Sequence, residues 1–249
     1  KEREMSEDKY QHQGGSLLAD CDDDDRRGFV KKVYGILATQ LTVTFGCVAA
    51  VKFSPETNAS LQDPNNTTAM GIFIAACVIA LFTQCAVMCC KSVARTVPTN
   101  YIAISLFTSC WAYLLTFICA QYEASIVLMA SVSTAAITIT LTIYAMFTKA
   151  DFTTLCGPFA CFGLLLIICV QMLLSVLSIF IFEFTDTYIP FAAGFCVIIY
   201  GLFLIIDTQL IVGGGRHELS IDDYVIGAMV LYIDIIYIFL ELLKIFGKK

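Results

Sequence analysis

Seven stretches of the chain read as nearly continuous apolar runs of helical length, separated by polar breaks of at most 15 residues. They cover 34–53, 69–90, 101–121, 124–147, 155–182, 188–212 and 224–246. A bilayer core of roughly 30 Å is spanned by about 20 mainly apolar helical residues, so each run is long enough to cross. Backbone facing lipid must satisfy its own hydrogen bonds, which restricts spanning segments to helices or closed barrels. Breaks this short leave no room for a second folded domain. The pattern predicts an all-α, polytopic membrane helix bundle of seven transmembrane helices over 33–249. An acidic tail at 1–32, expected to be cytosolic and disordered, precedes it.

Composition agrees with that reading. Hydrophobic residues make up 58% of the chain and charged residues 14%, against about half and about a quarter in soluble domains. Close to half of the charges precede residue 33, so the remainder is nearly uncharged for its length. The formal net charge of −6 gives no indication of nucleic-acid binding. The first ten residues, KEREMSEDKY, have no hydrophobic core, so the first apolar run is expected to act as an uncleaved signal anchor.

Lys and Arg near span ends set the expected orientation. Arg26, Arg27, Lys31 and Lys32 precede the first span; Lys91 and Arg95 lie in the second loop, Lys149 in the fourth and Arg216 in the sixth. The odd loops carry Glu56, Asp63, Glu123, Glu183 and Asp186 instead. The N-terminus is therefore expected to be cytosolic and the odd loops lumenal or exterior. Seven crossings put Lys244, Lys248 and Lys249 on the opposite side from the other basic residues, so the last segment either crosses fully, the preferred reading, or re-enters.

Cys47, Cys77, Cys85, Cys110, Cys119, Cys161, Cys169 and Cys196 fall inside apolar runs and read as packing residues. Glycosylation-type triplets begin at Asn58, Asn65 and Asn66 in the first loop, where a short polar turn explains them more simply.

The chemistry-bearing positions are few. Asp207 and Asp234 sit within the sixth and seventh apolar runs, and intramembrane carboxylates usually face a bundle interior and mark a functional path. Asp207 lies about 8 Å from the end of its helix and Asp234 about 15 Å into the next, at 1.5 Å per residue. The two helices are consecutive and antiparallel, so these depths can overlap. Two carboxylates meeting in low dielectric cannot both ionise cheaply and tend to share one proton. That makes a proton-sensitive latch, or a cation site when both are ionised; the plainer reading is two acids separately hydrogen-bonded. Glu241, seven residues after Asp234 and on nearly the same helix face, either extends an acidic path or pairs with Lys244. Ser131, Thr134, Thr138 and Thr142 form a stripe better explained by close helix packing than by a water path. Gln84 and Gln171 read as interhelical amides, and Cys89 and Cys90 as a weak acylation candidate. Gly213-Gly214-Gly215 lacks the Lys and Ser/Thr of a phosphate loop. Neither a metal-ligand spacing nor a nucleophile–base pattern is present, and the chain is not expected to be an enzyme.

Several segments together carry a family likeness. These are Phe29-Val30-Lys31-Lys32-Val33-Tyr34, Val97-Pro98-Thr99-Asn100-Tyr101, Asp207-Thr208-Gln209-Leu210, Arg216-His217, Asp222-Asp223-Tyr224 and Leu231 to Phe239. From about residue 29 to 246 the chain resembles the transmembrane Bax-inhibitor motif family, nearest to its lifeguard subgroup. The resemblance implies seven helices with the last one central, and a calcium leak from intracellular stores in which calcium is the permeating ion and no cofactor or metal is resident. It also implies a pH-sensitive latch of paired aspartates, falling on Asp207 and Asp234, and inhibition of apoptosis from Golgi, endoplasmic reticulum or related membranes. Apoptosis-regulating membrane proteins are then candidate partners beside the lipid bilayer. Two departures stand out. The tail is short and acidic, unlike the long Pro-, Gly- and Tyr-rich tails of many lifeguard relatives. The basic residue that bacterial relatives carry within the second helix is not matched, since Lys91 and Arg95 lie at or beyond that helix's end. A non-conducting scaffold acting through membrane partners is the alternative, and a proton-coupled transporter the third reading, disfavoured because no inverted repeat is visible.

Overall fold

The computed structural model describes residues 23–155, 185–213 and 219–247. All of its regular elements are helical: α1 Asp23–Lys52, α2 Pro55–Gln62, α3 Thr67–Cys89, α4 Lys91–Arg95, α5 Thr99–Ala120, α6 Ala124–Phe147, a 3-10 turn Phe152–Leu155, α7 Thr185–Val212 and α8 Tyr224–Phe246. Six of these helices are long and apolar enough to cross a membrane: α1, α3, α5, α6, α7 and α8. The fifth expected span, 155–182, with Gln171, Cys161 and Cys169, lies almost wholly outside the described residues, as do the loop residues Arg216 and His217.

α8 is the centre of the bundle. Of its apolar stretch 78% is buried, against 17–56% in the other five. Its sequence fits this, because apolar side chains occupy all of its faces and are interrupted only by Asp234, Glu241 and Lys244, as in a core helix. α7 lies along it, and α1 and α6 also contact it. α3 and α6 are buried least and form the outside of the bundle.

α1 starts at Asp23, eleven residues before the apolar run that marks it in the sequence. The reason is periodicity rather than mean hydropathy. Phe29, Val33, Leu37, Gln40, Thr44 and Val48 recur every three or four residues and are all buried. Arg27, Lys31 and Lys32 occupy the exposed face of the same turns. Residues 23–32, assigned to the tail by hydropathy, are therefore the first turns of the helix. Thr44 bonds the Tyr232 hydroxyl at 2.8 Å, and Phe45 meets Phe239 edge-on at 5.2 Å, fixing α1 on α8.

The first connection is not only a turn. α2 lies over the end of α5, where Gln62 donates to the Ala120 carbonyl at 2.6 Å and Lys52 reaches the Ala120 and Tyr122 carbonyls. These side chains supply donors to the orphan carbonyls of a helix C-terminus, where a positive charge is also favourable. Lys52 thus sits at an otherwise acidic end for a local reason. Asn66 caps α3 by accepting from the Ala69 amide at 3.0 Å, and its own amide donates to Ser60.

The last helix traverses the whole bundle. Its first residue, Tyr224, lies beneath the Lys32 ammonium and bonds Asn100 at 2.7 Å. At its other end the Tyr122 ring, in the α5–α6 connection, packs over Gly247. Lys244 therefore lies at the far end of α8 from Arg95 and Lys32.

The cysteines divide. Cys110, Cys119 and Cys196 are buried as expected, whereas Cys47, Cys77 and Cys85 are exposed on the outer surface. Hydropathy reports immersion in an apolar medium. It does not distinguish the lipid-facing side of a helix from the core-facing side.

Candidate functional site

Asp207 stands five residues before the end of α7, and Asp234 ten residues into α8. The antiparallel packing of these helices brings the two carboxyl groups within hydrogen-bonding reach of one another. Asp234 is 5% exposed, and its Oδ2 has no donor among the described residues. Asp207 is half-buried. Neither forms an ion pair with a Lys or Arg of the described residues. Two ionised carboxylates are acceptors only, so a donor between them exists only when one keeps its proton.

The pair heads a polar seam between α7 and α8. Tyr200, seven residues before Asp207, and Tyr237, three after Asp234, stack with centroids 4.9 Å apart and planes at 13°. Beyond them lies Glu241, 2% exposed and bonded to Lys244 at 2.7 Å. Trp111 of α5 closes the side of the seam, edge-on to Tyr237 at 5.8 Å. Asp207, Asp234 and Glu241 thus lie along one interface, with the tyrosine stack between the aspartates and the glutamate. At the far end, Tyr122 is held above its usual pKa, chiefly by burial and then by Cys119 and Glu241 beside it.

Beside the pair, the Thr208 hydroxyl is buried and approaches the Tyr34 hydroxyl of α1 without closing a well-formed hydrogen bond. Several helical threonines here, including Thr39, Thr83, Thr108, Thr116 and Thr134, donate to the carbonyl four residues back. Thr208 does not, which leaves two unsatisfied hydroxyls at the α1–α7 contact.

At the start of α8 three of the segments that carry the family likeness meet, through Lys32, Asn100 and Asp223-Tyr224. Arg95 grips Asp223 with two hydrogen bonds, Nε to Oδ1 at 2.7 Å and an Nη to Oδ2 at 2.8 Å. That clasp raises the Arg95 pKa, chiefly through the hydrogen bonds, so the ion pair persists throughout the physiological range. Gly227 fits between Ile211 and Val33, where a Cβ would come within 3.3 and 3.4 Å of their side chains. Gly213 ends α7 with φ +78°, and the Arg26 guanidinium lies where its Cβ would stand. Arg95 therefore does not reach the aspartate pair. It holds the end of the helix that carries Asp234.

Sequence reasoning did not foresee the Arg95–Asp223 clasp, whose partners are 128 residues apart. The tyrosine stack had a signal, since Tyr200 and Tyr237 share helix faces with the aspartates. In the hydroxyl stripe of α6, Thr134 is buried and Ser131, Thr138 and Thr142 are half-buried, with Ser131 and Thr134 bonded to their own backbone. Among the described residues no group of three or more His, Cys, Asp or Glu converges as a metal site.

Residues 26–249 match the family described as Inhibitor of apoptosis-promoting Bax1 (Bax1-I). Protein lifeguard 3 of Homo sapiens is 31% identical over 224 residues, covering 90% of this chain and 70% of that protein. The Mus musculus protein of the same name gives the same identity and coverage. Protein LIFEGUARD 4 of Arabidopsis thaliana is 30% identical over 225 residues, covering 89% and 85%. With a helical membrane bundle of this arrangement and a match over nearly its whole length, the chain belongs to the Bax-inhibitor family of membrane proteins, with lifeguard proteins as relatives.

Proposed function

We propose that the protein is a pH-sensitive calcium leak channel of intracellular membranes, gated by Asp207 and Asp234. The observation that carries this is the buried Asp234 Oδ2, facing a second carboxyl and without a donor among the described residues. One shared proton joins the two groups and holds α7 to α8. Loss of that proton sets two like charges against each other in a poorly hydrated seam, and the helices separate or admit a cation. Calcium takes roughly six to eight oxygen ligands, and two carboxylates supply too few to hold it, which suits a passing ion better than a resident one. Glu241, along the same interface, is the next carboxylate such an ion meets. In this reading the end bearing Arg26, Arg27, Lys31, Lys32 and Arg95 is cytosolic, and Golgi or endoplasmic reticulum is the residence. An anti-apoptotic role follows from the family description.

The test is calcium entry into dye-loaded liposomes containing only the purified protein, between pH 5 and 8. Flux that varies with pH is expected. Absence of flux at every pH would remove the channel and leave a non-conducting scaffold that suppresses cell death through membrane partners.

A further inference from the structure

A second site lies on the opposite flank of α1. Between α1 and α5 an open groove of about 450 Å³ runs from Lys31 and Lys32 at its mouth to Gln40 and Val43 within. That volume falls in the roughly 300–1,000 Å³ range of small-molecule pockets. Gly35 forms part of its floor, and nothing lies within 4 Å of where a Cβ would stand there. Ile36, Val43 and Ile104 give it an apolar wall, while Tyr101 and Ser105 flank the mouth on α5.

Three features define the occupant. Both flanking helices are membrane-spanning in length and composition, so a groove on their outer side opens towards acyl chains. Lys31 and Lys32 are exposed, and neither forms an ion pair with a carboxylate among the described residues. Lysines near a helix end carry their ammonium groups out to headgroup level while their stems cover apolar surface. At the inner end Gln40 is 3% exposed, and its amide donates to Thr108 at 3.0 Å. A charged mouth and an apolar channel between membrane-spanning helices match a lipid with a negatively charged headgroup, with the Gln40–Thr108 bond closing the inner end. Basic pockets between membrane helices bind such headgroups.

We propose that this groove is a binding site for one anionic phospholipid, its phosphate at Lys31 and Lys32 and one acyl chain along Gly35 and Val43. The site is separate from the α7–α8 seam and does not depend on the channel reading. Its mouth adjoins the start of α8, because the Lys32 ammonium lies 5.5 Å from the Tyr224 ring centroid.

Native mass spectrometry of the full chain in detergent, titrated with phosphatidylserine or phosphatidylcholine, tests this. One phosphatidylserine per chain is expected to be retained, at least about tenfold more tightly than phosphatidylcholine. Replacing Lys31 and Lys32 together by Gln should weaken it about thirtyfold, from roughly fivefold per lysine. Gly35→Leu should abolish it by filling the channel, with an unchanged melting temperature showing that the fold is intact. Equal retention of the two lipids would overturn the proposal, as would parental affinity in a folded Gly35→Leu variant. Displacement by millimolar inorganic phosphate would overturn it too, by showing that the lysines bind a free anion.

Discussion

Asp234→Asn keeps the shape of the side chain and removes one of the two facing carboxyl groups. In the parent at pH 8 the pair either bears two negative charges or keeps a proton that the solution tends to remove. Two unit charges at about 4 Å repel by about 4 kcal/mol at an effective dielectric of 20. That is an upper bound, because Asp207 is half-buried and partly screened. An amide at 234 bears no such repulsion, and its Nδ2 can donate to the Asp207 carboxylate facing it. The variant is therefore expected to be more stable than the parent at pH 8, by about 1–3 kcal/mol. The sign with pH follows from proton counting. A folded pair sharing a proton binds more protons than two separated carboxyl groups, so parental stability falls as pH rises, while that of the variant stays flat. The assay is thermal melting in detergent at pH 5 and 8, followed by fluorescence. Trp111 is the chain's single tryptophan and packs on Tyr237, one turn beyond Asp234, so it reports on α8 itself. A variant less stable than the parent at pH 8, with the parent unchanged between the two pH values, would refute the reasoning.

Other outcomes follow from the same packing. Arg95→Gln should destabilise the fold by about 1.5–3 kcal/mol through loss of two charge-assisted hydrogen bonds, and a double-mutant cycle with Asp223→Asn should show coupling. Gly227→Val should cost about 1–3 kcal/mol by overpacking against Ile211 and Val33, read as a lowered melting temperature. The emission of Trp111 should shift between pH 5 and 8 in the parent if α8 moves, and remain constant in Asp234→Asn.

How much of this was legible in the sequence depends on the kind of signal. The central place of α8 was legible through the family resemblance rather than through composition, since Asp234 and Glu241 lower the hydropathy of its run. Helix order and depth showed only that Asp207 and Asp234 can lie at overlapping levels; which faces they occupy needed the packing of α7 on α8. The early start of α1 was obscured because mean hydropathy averages Arg26, Arg27, Lys31 and Lys32 with Phe29 and Val33; the four-residue spacing of the latter pair carried the information. The facing of Cys47, Cys77 and Cys85 was illegible because lipid and core are equally apolar. Arg95 and Asp223 gave no local signal, since their pairing depends on how α4 and the start of α8 meet in the folded bundle.

The central claim, that a proton held between Asp207 and Asp234 governs a calcium path, is tested most directly by calcium flux through the two single amide variants. Parent, Asp207→Asn and Asp234→Asn would be compared in protein-only liposomes from pH 5 to 8. The account predicts pH-dependent flux in the parent and flux independent of pH in both variants. Parental pH dependence in both variants would contradict it.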